Sequence, residues 1–222
     1  RVARKAIVVV GLGRFGSTVA LHLQKMGHEV LGIDADQDRV DHYAPELTHV
    51  VACDATDEEA LRALGLRNFD VGVVAIGSDV EASILTTVLL KEQGVPLVVA
   101  KARSELHGRT LEKVGADRVI YPEREMGARL AHSLMTGSEI DYIELSPDYT
   151  IMEMAAPPAL AGKTLREANL RAQFGISVLA LKSGEQINAA PLATDVIRPG
   201  DTLVLLGHKE GMRQLERTLQ HG

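Results

Sequence analysis

The chain has 222 residues, a formal charge of −6 and 45% hydrophobic residues, with one cysteine and no tryptophan. That length suits one domain of usual size with a small appendix. An acidic chain with no gathered Lys and Arg argues against nucleic acid as a partner, and the lone Cys53 excludes an internal disulfide and fits a reducing cytosol.

In chain order, apolar runs at 6–10, 29–34, 49–52, 71–76, 97–100 and 118–121 alternate with helix-period stretches at 14–26, 57–64, 80–92, 105–114 and 125–135. Aromatics are scarce, so the core is expected to be aliphatic, as buried parallel strands require. Asp57 and Ser104 stand where helix N-caps belong, and Gly27, Gly94 and Gly115 just past helix ends. The reading is an α/β fold: a Rossmann-like doubly wound parallel sheet over residues 1–137.

After a polar break at 136–139 the pattern changes. Alternation at 141–145 and 151–155, a short helix from Thr164, strands at 176–182 and 202–206 and a closing amphipathic helix at 208–219 predict a small α+β domain over 138–222. No apolar run approaches the ~18 residues of a membrane span and none reads as a signal peptide, so any membrane role is expected to come through a partner.

The strongest local signal is Gly11-Leu12-Gly13-Arg14-Phe15-Gly16, directly after the first strand and opening the first helix. Gly11 allows the tight turn, Gly13 a close approach of a pyrophosphate, and Gly16 helix-on-strand packing. The helix N-terminus then offers unpaired N–H groups and a positive dipole end. Asp34, about 20 residues on with Ala35 behind it, is placed to accept from a ribose and opposes a 2′-phosphate. Arg14 reads either as a solvated helix-start arginine or as added positive charge for a di- or triphosphate.

Further loops lie at strand C-terminal ends, where such sheets bind ligands. They carry Asp54, Ala55 and Thr56 after the third strand, Ile76, Gly77 and Ser78 at the fourth, and Lys101 and Arg103 at the fifth. Each is contact or bystander. Glu123 follows the sixth strand, roughly 14 Å from the first in the order 3-2-1-4-5-6, and reads by itself as a surface glutamate.

Catalytic signatures are missing. None of Tyr43, Tyr121, Tyr142 and Tyr149 has a lysine four residues later, and Gly162-Lys163-Thr164 lacks the first glycine of a P-loop, with Pro157 in its place. His22 and His28 read as surface or packing residues. The expectation is a binding protein and not an enzyme; the alternative is an NAD(H)-responsive redox sensor or a small NAD-dependent oxidoreductase.

Taken together, the glycine motif with Val9 and Val10 before it, Met26-Gly27-His28-Glu29-Val30-Leu31, Val74-Ala75-Ile76-Gly77, Leu111-Glu112-Lys113-Val114-Gly115-Ala116-Asp117-Arg118 and Pro122-Glu123-Arg124-Glu125-Met126-Gly127 resemble the RCK (regulator of potassium conductance) family. Asn169-Leu170-Arg171-Ala172 and Leu206-Gly207-His208-Lys209 resemble its C-terminal domain. The resemblance is closest to the cytosolic regulatory subunits of Ktr/Trk-type potassium-uptake systems and covers essentially the whole chain.

It implies homo-octameric rings, built as dimers of dimers, on the cytosolic face of an integral membrane potassium-translocating subunit. It further implies that ATP and ADP compete for the Rossmann site, that Arg14 reaches their phosphates, and that Glu123 holds Mg2+ or another divalent cation between subunits. Some members bind cyclic di-AMP beside the motif matching Arg171 and Ala172. Ser177 stands where those binders carry an asparagine, a departure at this possible second site.

Overall fold

The computed structural model describes residues 3–136 and 143–220, and the chain divides into two compact units, Arg1–Pro122 and Glu123–Gly222. The expected boundary after residue 137 falls outside the described residues, and the division at Pro122 groups the sixth helix with the second unit.

The first unit holds β1 (Ala6–Val10), α1 (Arg14–Lys25), β2 (Glu29–Asp34), α2 (Gln37–Tyr43), β3 (His49–Ala52), α3 (Glu58–Ala63), β4 (Val71–Val74), α4 (Val80–Glu92), β5 (Leu97–Lys101), α5 (Glu105–Lys113) and β6 (Arg118–Ile120). All strand pairs are parallel and the order is β3-β2-β1-β4-β5-β6, the doubly wound arrangement expected. Alternate residues feed two cores. Val8, Val10, Ile33, Val74 and Val98 point to one, and Ile7, Val9, Val30 and Val73 to the other. Burial on both faces explains the unbroken aliphatic runs.

β4 ends two residues before the expected 76. Its neighbour β1 turns away at Gly11, and only the N–H of Ala75 still reaches the Val10 carbonyl, at 2.8 Å. That turn opens the sheet between β1 and β4, the switch point where ligands enter such folds.

The second unit holds α6 (Pro122–Thr136), β7 (Ile143–Glu144), β8 (Tyr149–Ala155), α7 (Leu165–Ala168), α8 (Leu170–Phe174), β9 (Ser177–Ser183), β10 (Gln186–Asn188), β11 (Thr202–His208) and α9 (Lys209–Gln220). The strands form an antiparallel sheet ordered β10-β9-β11-β8-β7 over a core that includes Met152, Ile176, Leu203, Leu205 and Leu215. α6 starts three residues before the expected 125, with Pro122 at the first helical position, where its fixed φ and missing N–H cost nothing. The predicted strand over 141–145 is described only from residue 143.

Candidate nucleotide site

The glycine turn has the shape that its sequence implies. Gly11 has φ +94°, and a Cβ there would lie 3.0 Å from the backbone of Ala75 and Ile76. A Cβ on Gly16 would collide with the Gly11 carbonyl oxygen. At Gly13, by contrast, a Cβ would meet nothing within 4 Å, so open space lies where a ligand backbone would approach. Leu12 turns inward, is 1% exposed, and sits under Gly32, whose Cβ would be 3.1 Å from a Leu12 methyl. Its burial anchors the turn by roughly 2 kcal/mol.

α1 begins without a side-chain cap. Gly13 is its N-cap residue, no side chain accepts from its first turn, and that turn holds no acid. The other four α-helices described in the sheet unit are closed by their N-cap side chains. Asp36 accepts from the Asp38 N–H, Asp57 from Glu59 and Ala60, Asp79 from Ala82, and Ser104 from His107. Each also carries an acid in its first turn. Among the described α-helices of this unit, α1 alone therefore has a start without side-chain cap or acid, and it lies at the sheet's switch point with an uncompensated positive dipole end. Such a start suits an anion.

Asp34 closes β2 beside this turn and is 7% exposed. Its Oδ2 accepts from the Leu12 N–H at 2.7 Å and its Oδ1 from the Asp36 N–H at 2.9 Å. The carboxylate thus holds the glycine turn to the start of α2, a role the sequence reading did not assign, while keeping lone pairs for a ribose diol. Arg39, in the first turn of α2, reaches back to it at 3.4 Å and to Asp36 at 3.6 Å. Neither Asp36 nor Arg39 is among the sequence-predicted contacts. The readable signal was an acid at an N-cap position two residues after the strand.

Lys101 and the glycine turn converge. Its Nζ lies 5.6 Å from the Phe15 ring centroid, and a Cβ on Gly77 would be 3.6 Å from the same nitrogen. Arg14 is exposed at the first position of α1. Arg103 donates from Nη1 to the Ser78 carbonyl at 3.2 Å, tying the β5 loop to the β4 loop. Behind it His107 is buried, with Nε2 2.7 Å from Ser83 Oγ while Nδ1 accepts from the Arg103 N–H at 3.2 Å. Burial first, then the Arg103 charge, pushes its pKa below the ordinary histidine value.

The β3 loop adjoins Asp34 through the bond from the Cys53 N–H to the Asp34 carbonyl, 2.9 Å. Ala35 is exposed just beyond. Asp54 accepts from the N–H and hydroxyl of Thr56, which hold its carboxyl below its usual range. Ala55 is buried, and its carbonyl accepts from Thr86 at 3.1 Å. Burial and then the charges of Asp57 and Asp54 raise the Cys53 thiol's pKa.

Other singled-out residues lie in the second unit. Glu123 is exposed in the first turn of α6, and Arg171 and Ala172 are exposed on α8. Asn169, between α7 and α8, has φ +47°, the left-handed conformation that asparagine tolerates, so this motif residue has a structural reason. Gly162-Lys163-Thr164 leads into a capping box between Thr164 and Glu167 at the start of α7. Among the described residues no group of three or more His, Cys, Asp or Glu could hold a metal ion, and no helix is long and apolar enough to cross a membrane. Tyr142 lies outside the described residues.

A doubly wound sheet with a glycine turn and an open helix start, followed by a small antiparallel α+β unit, defines a Rossmann-type domain with an appended C-terminal domain. The TrkA-N domain matches residues 7–122 and the TrkA-C domain residues 149–220. Ktr system potassium uptake protein C of Bacillus subtilis is 42% identical over 218 residues, covering 98% of this chain and 99% of that protein. Ktr system potassium uptake protein A of the same organism is 43% identical over 216 residues, covering 97% of each. The chain belongs to the RCK family.

Among solved structures, the GsuK channel matches with a TM-score of 0.72 at 21% identity, over 98% of this chain and 40% of that one, so the chain spans about two fifths of the channel's length. The GsuK channel bound to NAD matches with a TM-score of 0.70 at 21% identity, over 97% of this chain and 39% of that one. Both likenesses are of fold.

Proposed function

We propose that this chain is the nucleotide-binding regulatory subunit of a Ktr-type potassium-uptake system, and that ATP and ADP at the glycine turn set the conductance of an integral membrane partner. The nucleotide reading is carried by the uncapped start of α1 beside open space at Gly13. The regulatory reading is supported by identity above 40% along almost the whole length of two Ktr proteins.

In this proposal the N–H groups of Gly13, Arg14, Phe15 and Gly16 take the phosphates nearest the ribose, and Asp34 takes the ribose hydroxyls. Loops at Asp54, Ala55, Thr56 and Ala35 flank the adenosine end. Lys101 adds charge at the phosphate end, with Ile76, Gly77 and Ser78 beneath it and Arg103 fixing the Ser78 loop. Arg14 meets the outermost phosphate of ATP, a contact that ADP lacks. A ligand shifts a conformational equilibrium only by its differential affinity for the two states, and this contact supplies such a difference.

The subunits assemble as a homo-octameric ring on the cytosolic face of the membrane. Glu123 is a single carboxylate, and a small divalent cation commonly takes one or two carboxylates together with phosphate oxygens. A cation there would offset phosphate charge and favour the ATP state. No chemistry on the nucleotide is proposed. Arg171 and Ala172 on α8 belong to a second ligand site in this proposal, with Ser177 in place of the binders' asparagine.

An NAD(H)-responsive sensor is the second reading, favoured by the pairing of the glycine fingerprint with Asp34. Calorimetry with ATP, ADP, NAD and NADH, each with and without magnesium, separates the two. ATP and ADP binding, with the ATP preference lost in Arg14→Ala, is the expected result. Binding of NADH alone would overturn the ATP/ADP assignment.

A further inference from the structure

We infer that Arg39 sets how strongly this site discriminates against a phosphate on the ribose 2′ position, an inference that rests on the nucleotide reading above. Three donors converge on the buried Asp34 carboxylate. Two are backbone N–H groups, of Leu12 at 2.7 Å and Asp36 at 2.9 Å, fixed by the glycine turn and the start of α2. The third is Arg39 Nη1 at 3.4 Å, the longest of the three, from a side chain that is 53% exposed. It is the one donor that can swing aside without disturbing either loop.

Both acids that hold Arg39 have other work. Asp34 ties down the glycine turn, and Asp36 caps α2 through the Asp38 N–H at 3.0 Å. The segment from Asp34 to Asp41 contains Asp34, Asp36, Asp38 and Asp41 and one basic residue, Arg39. The guanidinium therefore leaves the Asp34–Asp36 pair with one net negative charge.

A free 2′-hydroxyl can donate to the ionised Asp34 and brings no charge. A 2′-phosphate brings close to two negative charges into a site that is already negative, and is disfavoured. Arg39 limits that penalty, because it halves the local charge and offers the planar fork that phosphates take. The favoured ligand class is adenine nucleotides with an unmodified ribose, by a margin that Arg39 keeps moderate.

The test is competition against labelled ADP by ADP-ribose and by 2′-phospho-ADP-ribose, on the whole chain and on Arg39→Lys, Arg39→Ala and Arg39→Glu. The two ligands differ only at the 2′ position, so their affinity ratio cancels any general loss of folding. The ratio should favour ADP-ribose in the parent chain and widen least in Arg39→Lys, which keeps the charge but loses the planar fork. It should widen on the order of tenfold in Arg39→Ala and further in Arg39→Glu, with the widening shrinking in high salt. An unchanged ratio across the series, with labelled ADP still bound, overturns the role of Arg39 alone. Failure of the parent chain to bind labelled ADP overturns the nucleotide reading and this inference with it.

Discussion

The first unit contains two kinds of helix start. α2, α3, α4 and α5 are finished structures, each with a side chain accepting from the first turn and an acid beside it. α1 is the longest but one of the five and has neither. It starts at Gly13, where an added Cβ would meet nothing within 4 Å, just past the end of β1 and next to β4, where the sheet's topology switches. A helix end left unpaired costs free energy, and sequences fill such ends when nothing else will. The difference is what the proposed nucleotide site requires: α1 is the helix start left for a ligand that brings negative charge.

Gly13→Asp would make α1 resemble the other four. Gly13 has φ −66° and ψ −173°, extended backbone that aspartate adopts freely. The variant is expected to keep its stability or gain about 0.3 kcal/mol in urea unfolding, since glycine is itself a tolerable N-cap. A carboxylate beside the phosphates should lower ADP affinity on the order of a hundredfold by calorimetry. Stability and affinity moving together would break the comparison.

The reverse change is smaller. Asp57→Ala uncaps α3, which does not lie at the switch point, and should cost about 1 kcal/mol of stability with ADP affinity unchanged. A loss of affinity there would mean that helix starts in this unit are not independent.

The smallest effect concerns α5, whose cap bond to Ser104 comes from the backbone of His107. The His107 ring is held below its ordinary pKa, so the unfolded chain binds a proton near pH 6.5 that the folded chain does not. Stability should therefore be flat above that pH and decline as the pH falls below it. His107→Gln should flatten this decline in urea titrations at a series of pH values. An identical decline in the variant would place the sensitivity elsewhere.

Much of this was legible in the sequence because the signals reinforced one another. The apolar run of β1, the glycine spacing and the acid ending β2 specify one local structure, and the strand order follows from the doubly wound pattern. α2 was missed because Gln37–Tyr43 is polar and buries only Val40, and Arg39 was missed with it. β10 was missed because Gln186–Asn188 is only three residues long and exposed throughout, too short for its one apolar residue, Ile187, to make a pattern. The double use of Asp34 was not readable either. Spacing places an acid beside a ribose, but only the folded turn brings the Leu12 N–H to it.

The most direct test is amide hydrogen exchange on the unmodified chain, with and without ADP. Ligand-dependent protection concentrated in Gly13, Arg14, Phe15 and Gly16, with the starts of α2 to α5 unchanged, is the predicted result. ADP binding that left those four amides as exposed as before would contradict the account.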